Sequence, residues 1–265
     1  MRQEKRMIAL TIAGSDSGGG AGIQADLKTF AAFGCYGASV VTAVTAQNTL
    51  GVHAVHTIPA DIVAAQLSAV ADDLPPDGCK TGMLGVRDIV DEVASVVRTR
   101  EWKNLVVDPV IRATSGAVLL DDEGVDALRR LLVPLAACIT PNLDEAEVLT
   151  GQTVRNAEAM AKAGQAILDL GARAVLVKGG HLDSDIVVDV LVTAQGTRRY
   201  TRSRIPGRAT HGTGCTLSAA ITAKLALGVR IDDAVPAAIE FVQAAMRTAP
   251  GLGAGHGPMW HDPAG

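Results

Sequence analysis

Along the chain, short runs of apolar residues alternate with longer windows in which apolar side chains recur at helical spacing. Met7 to Ala13 is nearly all apolar and predicts a buried strand, Ile23 to Phe33 predicts a helix stopped by Gly34, and Ser39 to Thr45 predicts a second strand that delivers Gln47 just past its end. Pro59 opens a helical window over Ala60 to Asp73, and Lys80 to Leu84 reads as a strand end. Leu105 to Ile111 and Ala174 to Val177 read as further strands, and Ala157 to Leu170 as a helix ending at Gly171. Val187 to Thr193 and Arg198 to Ser203 suit a hairpin-like pair. Cys215 to Leu227 predicts a helix closed by Gly228, and Ile231 to Arg247 the last one. Apolar strands alternating with amphipathic helices predict an α/β protein whose parallel sheet is covered on both faces. Without an internal repeat, charge block or linker, the expectation is one domain over residues 1–265, with a flexible tail from about residue 250.

Composition narrows the function classes. With 48% hydrophobic residues a sizeable core is available, and 24 basic against 28 acidic residues leave no basic footprint for nucleic acid. Cys35, Cys79, Cys138 and Cys215 are far apart, which argues against a zinc site and a disulfide framework and for reduced thiols. The start of the chain shows no signal-peptide pattern and no apolar run reaches a membrane span, so a cytoplasmic protein without a membrane partner is expected.

The chemistry gathers at Ala209 to Ala220. Gly212 and Gly214 let a ligand approach the backbone N–H groups closely, and the helix that follows turns its unpaired first-turn amides and positive dipole end to the same spot, so the segment reads as an anion cradle. A thiol in the first turn of a helix is where a thiolate is best stabilised, which makes Cys215 a candidate base or hydroxyl-positioning group. Gly14 to Gly22, at the end of the first strand, matches neither a phosphate-binding P-loop nor a dinucleotide fingerprint, because Gly20 and Ala21 stand where Lys and Ser/Thr belong and Ile23 where a third glycine belongs. It remains a loop at the carboxyl end of a strand, where open α/β sheets bind ligands. Asp26 falls in the next helix, facing either solvent or that loop.

His211-Gly-Thr-Gly-Cys-Thr-Leu-Ser-Ala-Ala220 resembles the signature of the hydroxymethylpyrimidine/phosphomethylpyrimidine kinases of thiamine synthesis, a branch of the ribokinase-like superfamily in which most members carry aspartate at the cysteine position. Ala13 to Gly22, Asp108-Pro-Val110, Asn142-Leu-Asp-Glu145, Lys178-Gly-Gly and Gly255-His-Gly-Pro258 match the same branch in the same order. The resemblance implies a ribokinase-like three-layer α/β/α sandwich with a mostly parallel central sheet and no large separate lid domain. It also implies a homodimer that transfers phosphate from ATP, with Mg2+ and with a monovalent cation left open, to a pyrimidine alcohol and then to its monophosphate.

By the same resemblance, Gln47 hydrogen-bonds the aminopyrimidine, with Asp26, Gly14, Ala21, Met83 and Val110 around it. A glutamine amide suits that edge because it pairs an amino donor and a ring-nitrogen acceptor at once. Lys178 and Asp108 face the nucleotide phosphates, and Gly212, Thr213, Gly214 and Cys215 stabilise the transferred group. Asn142 and Glu145, three apart and so on one helix face, serve magnesium mainly through water. Asp185 and Asp189 fall on the nucleotide side. Read alone, Met83 suits core packing, Lys178 a solvated strand flank, and His256 and His261 a mobile solvated tail. Thr114 and Ala117 replace a lysine and an aspartate of the family pattern, Arg112 adds a charge, and Arg208 and Ala209 depart from it before the cradle. The rival readings are a pyridoxal/pyridoxamine kinase and a non-catalytic pyrimidine-binding regulator.

Overall fold

The computed structural model describes residues 6–113, 116–180 and 184–262. Nine strands form one sheet: β1 (Ile8–Asp16), β2 (Tyr36–Asn48), β3 (Gly51–Thr57), β4 (Gly78–Thr81), β5 (Leu105–Val107), β6 (Cys138–Ile139), β7 (Ala174–Val177), β8 (Ile186–Thr193) and β9 (Gly196–Ser203). Their order is β3-β2-β1-β4-β5-β6-β7-β8-β9; the stretch from β2 to β7 is parallel, while β3, β8 and β9 run antiparallel to their neighbours. The chain leaves β1 toward β2 and returns on its other side as β4. This reversal opens a crevice at the carboxyl ends of the strands, where such sheets bind ligands.

The helices are α1 (Gly22–Ala32), α2 (Ala60–Asp73), α3 (Arg87–Thr99), α4 (Asp122–Ala127), α5 (Leu143–Thr150), α6 (Ala157–Leu168), α7 (Thr213–Ala226) and α8 (Ile231–Arg247), with a π turn and a 3-10 turn carrying α4 on to Leu135. Strand parity assigns them to two layers. Leu10, Ile12, Cys79, Leu105, Val107, Val175 and Val177 point into the core shared with α2, α3, α5 and α6, whereas Ala9, Val106 and Leu176 point to α1, α7 and α8. Buried on both faces, these strands are mostly apolar with threonines interspersed, and each fully buried branched aliphatic side chain contributes about 2 kcal/mol of transfer free energy.

The exception sits on the second face of β4. Lys80 is paired in register with Thr11 of β1, and its ammonium reaches Asp26 of α1 at 2.9 Å with neither side chain exposed. Asp26 therefore faces neither solvent nor the loop. Gln47 lies within β2 and not beyond it, because β3 pairs with the last residues of β2. The hairpin β8–β9 forms as the pattern predicts.

Candidate active site

The cradle forms at the N-terminus of α7. Gly212 is its N-cap, in the left-handed region at φ 77°, and an added Cβ would stand 1.9 Å from the carbonyl oxygen of Gly20, so only glycine lets the two loops touch. Thr213 N–H donates weakly to the Thr210 carbonyl at 3.4 Å, while among the described residues nothing takes up the N–H groups of Gly214 and Cys215. Two free amides at a positive helix end make a site for an anion. A Cβ on Gly214 would meet Lys178 Nζ at 3.2 Å and Asp108 Oδ2 at 3.8 Å, which places both charged groups against the cradle.

Lys178 arrives from the end of β7 and Asp108 from the end of β5, and Lys178 Nζ donates to Asp108 Oδ1 at 3.0 Å and stands 3.9 Å from Glu145 Oε2. Asp108 also accepts from Thr140 at 3.1 Å and from Ser218 of α7 at 3.4 Å. One ammonium thus serves two carboxylates. Burial opposes the charge of Asp108, but Lys178 and Lys80 outweigh it and hold its carboxyl below the usual range. Glu145 is second in line, and burial pushes it up to about 7 against the pull of the same lysine. Lys178 itself is raised: burial works against the ammonium, and Asp108 and Glu145 more than compensate.

Asn142 and Glu145 do not share a helix face, a correction to the expectation. Asn142 is extended and caps α5: its Oδ1 accepts the Glu145 N–H at 2.9 Å, and Glu145 Oε2 accepts the Asn142 N–H at 2.7 Å. This reciprocal capping box is legible in Asn-x-x-Glu itself. It occupies the Asn142 oxygen and aims the Glu145 carboxylate at Lys178. Among the described residues Glu145 Oε1 takes no hydrogen bond, and no cluster of three or more His, Cys, Asp or Glu could hold a metal by itself. Such a donor set suits a cation that keeps its waters and phosphate oxygens.

On the other side of the cradle, Gly14 packs against Met83, whose sulfur is 3.2 Å from where a Cβ would sit. Ala21 is the N-cap of α1 and donates its N–H to Asp16, and Val110 is half-buried beyond Asp108. Gln47 is partly exposed and lies 3.3 Å from His211.

Asp26, expected beside Gln47, is fully buried, within the electrostatic reach of Cys215 and Asp108. It accepts from Lys80 and, at 2.6 Å, from Thr11, all beneath the sheet surface. Burial pushes its carboxyl above the ordinary range, with Lys80 and Thr11 working against the shift. Cys215 lies within the field of the same lysine and receives the Gly22 N–H, yet burial dominates and pushes its thiol up to about 11. The thiolate expected from the helix dipole is not the resting form. Asp189 is buried, pairs with Arg202 and accepts the Gly179 N–H at 2.9 Å, which fixes the turn after Lys178, while Asp185 is exposed.

The tail is exposed over residues 250–254 and at His256, yet its backbone is tied down and His261 is buried. His256 and Gly255 donate backbone N–H groups to Thr49, Arg208 donates to the Ala254 carbonyl at 2.7 Å, and His261 is buried against Thr216 of α7 at 2.9 Å. Arg208 therefore ties the tail to the cradle's approach. Thr114 and His181 lie outside the described residues, and Arg112 and Ala117 flank the first of them, with Arg112 exposed. Sequence reasoning missed Lys80, Asp16 and the imidazole of His211. Two surface hollows of about 320 and 310 Å³ lie elsewhere, one between β9 and α8 and one on α4, so convergent chemistry and not concavity locates the site.

A three-layer sandwich in which a strand-end lysine, a strand-end aspartate and a helix-borne glutamate meet at two free helix-start amides has the architecture of the ribokinase-like small-molecule kinases. The phosphomethylpyrimidine kinase family model matches residues 16–260, and the chain belongs to that family. A hydroxymethylpyrimidine/phosphomethylpyrimidine kinase of Rhizobium meliloti is 52% identical over 257 residues, covering 96% of each chain. The crystal structure of phosphomethylpyrimidine kinase from Clostridium difficile is 46% identical with a TM-score of 0.81, covering 91% of this chain and all of that one. The structure of pyridoxal kinase from Staphylococcus aureus with AMP-PCP and pyridoxal is 35% identical with a TM-score of 0.91, covering 98% of this chain and 95% of that one. No helix among the described residues is long and apolar enough to cross a membrane.

Proposed function

We propose that the chain transfers the γ-phosphoryl group of ATP to the primary hydroxyl of 4-amino-5-hydroxymethyl-2-methylpyrimidine, and then a second one to the resulting monophosphate, in cytoplasmic thiamine diphosphate synthesis. The observation that carries this reading is that Lys178 and Asp108 meet against Gly214, at the two free amides that open α7. The hydroxyl oxygen attacks the γ-phosphorus as the bond to the β–γ bridging oxygen breaks, leaving ADP, and the hydroxyl proton leaves late, to an oxygen of the transferred phosphoryl group and from there to water. Charge on the migrating group is met by the cradle amides and by Lys178, so positioning supplies most of the catalysis. With its thiol up at about 11, Cys215 positions the hydroxyl and does not act as a standing base. Gln47 holds the amino and ring-nitrogen edge of the pyrimidine, with Gly14, Ala21, Met83 and Val110 as walls.

Magnesium supplies neutralisation of the phosphate charge when bound. Glu145 and Asp108 would hold it through water, with Asn142 acting only as the cap that orients Glu145. A homodimer would cover the overhang of β2 and β3, where Val44, Leu50 and Val55 stand exposed.

A coupled assay of ADP release, with and without the pyrimidine alcohol, tests the reading, and product analysis must show the monophosphate before the diphosphate. Stimulation by pyridoxal alone would transfer the assignment to a pyridoxal kinase, the second reading, which the fold similarity to the Staphylococcus aureus enzyme favours. Substrate binding without ADP release would point to the non-catalytic regulator.

A further inference from the structure

Asp16 is buried at the end of β1 and is saturated with donors: Gly18 N–H at 2.8 Å on Oδ1, and Gly20 N–H at 2.9 Å, Ala21 N–H at 2.8 Å and His211 Nε2 at 2.9 Å on Oδ2. Burial opposes its charge, but His211 and these amides hold the carboxyl below the usual range. An ionised carboxylate only accepts, so His211 Nε2 must carry a proton and donate it.

The same Nε2 lies 3.3 Å from one end of the Gln47 amide, and the other end lies 3.2 Å from Thr45 Oγ1. Thr45 has one hydroxyl proton and two acceptors in reach, the Ser15 carbonyl at 2.9 Å and Gln47 Oε1 at 3.2 Å; given to the nearer, it leaves Thr45 an acceptor toward Gln47. With the amide nitrogen toward His211 and the oxygen toward Thr45, two donors would face each other and two acceptors would face each other. A half-turn of the amide converts both contacts into hydrogen bonds: Oε1 shares the His211 N–H, and the Gln47 NH2 donates to Thr45.

The imidazole that dictates this is packed on the Gly20 main chain: a Cβ on Gly20 would stand 2.4 Å from His211 Cδ2 and 3.2 Å from Pro258, and the backbone N–H of His211 donates to the Gly257 carbonyl at 3.2 Å. The Gln47 backbone is clamped as well, since its N–H donates to Ser17 Oγ and its carbonyl accepts from the same hydroxyl.

We propose that Asp16 and His211 form a specificity relay that locks the Gln47 amide with its oxygen on the His211 side. Resting on the pyrimidine reading above, this fixes what the free edge of the amide can recognise: one N–H on the Thr45 side for a ring-nitrogen acceptor, one oxygen lone pair on the His211 side for an exocyclic amino donor. A 4-oxo pyrimidine, which presents the opposite pattern of acceptor and ring N–H, would need the forbidden half-turn. His211 is here a positioning residue acting through Gln47.

Two measurements test this. In the intact protein, 15N chemical shifts of the histidine rings at neutral pH should show His211 protonated at Nε2; a bare Nε2 overturns the proposal whatever the substrate. The second measurement compares competitive binding of 4-amino-5-hydroxymethyl-2-methylpyrimidine with that of its 4-oxo analogue. Wild type should prefer the amino compound, and His211→Phe, which fills the same space without a donor, should lower that preference by about tenfold, the worth of one oriented hydrogen bond. His211→Gln, which keeps an N–H donor, should recover part of it, and in a Gln47→Ala background His211→Phe should no longer change it. Equal loss of affinity for both compounds would mark His211 as merely structural and sink the relay. Should His211→Phe not fold, the ring tautomer alone decides. If wild type binds neither compound while His211 carries its Nε2 proton, the pyrimidine reading fails and the lock on the amide stands.

Discussion

Lys80 Nζ stands 2.9 Å from Asp26 Oδ2 with no solvent on either side chain, a closed ion pair between the sheet and α1, directly under the helix that carries the cradle. Removing one partner of such a pair leaves an uncompensated buried charge. Lys80→Met or Asp26→Leu alone should therefore destabilise the protein by about 3–5 kcal/mol, and the two together should recover most of the loss. Urea unfolding of the three variants measures this, and strict additivity of the two single effects would show that the groups do not act as a pair.

Gly212 and Gly214 are two residues apart and should fail differently. Gly212→Ala forces a Cβ into the Gly20 carbonyl at positive φ and should lower stability by more than about 2 kcal/mol. Gly214 has no positive φ, and its Cβ would crowd the flexible end of Lys178 and only graze Asp108, so Gly214→Ala should fold yet lose about a hundredfold in kcat by displacing the phosphate from the cradle. Thermal melts alongside steady-state kinetics separate the two outcomes.

Glu145 must be ionised to attract a cation, and its carboxyl sits at about 7 where an ordinary glutamate sits at 4.5. The acid limb of kcat/KM for magnesium should therefore rise with an apparent pKa near about 7, and Glu145→Gln should remove that limb. The stability sign is opposite. Between 4.5 and about 7 the native state holds a proton that the unfolded state has lost, so stability falls as pH rises through that window, and Glu145→Gln should flatten the slope. Unfolding free energies across the window check it.

Cys215 should behave as a thiol. At about 11, its thiolate fraction near pH 8 is about one in a thousand, so alkylation by iodoacetamide should be slow and should speed up tenfold per pH unit until well above pH 9. Cys215→Ser should accordingly keep turnover within about tenfold of wild type. Rapid alkylation at neutral pH would restore the thiolate as the resting form.

Much of the fold could be read from period alone, since α2, β7 and α8 match their sequence boundaries and the hairpin β8–β9 pairs as expected. The miss at α3 was avoidable: Ile89, Val90, Val93, Ala94 and Val97 mark one helical stripe. The miss at β3 was not, because it is an edge strand whose side chains are mostly exposed and whose pairing is what extends β2 past Gln47. Site residues followed the same division. Lys178 and Asp108 are at the ends of apolar strands and were visible, whereas Asp26 was misplaced because its partner Lys80 is 54 residues away on a strand face that no local pattern specifies. Cys215 shows the limit of the helix-dipole argument, since burial of the thiol outweighs the amides around it. The tail was misread for want of a periodic element, although its backbone is held by Thr49 and its His261 by Thr216.

The contact of Gly212 with the Gly20 carbonyl joins two loops nearly two hundred residues apart in the chain, main chain against main chain. Neither loop can accept a side chain at that seam, so the loop after β1 and the loop that opens α7 are locked together as one piece. New acceptor preferences in this scaffold must therefore arise at the rim, through residues such as Met83 and Val110, while the seam itself stays closed to change.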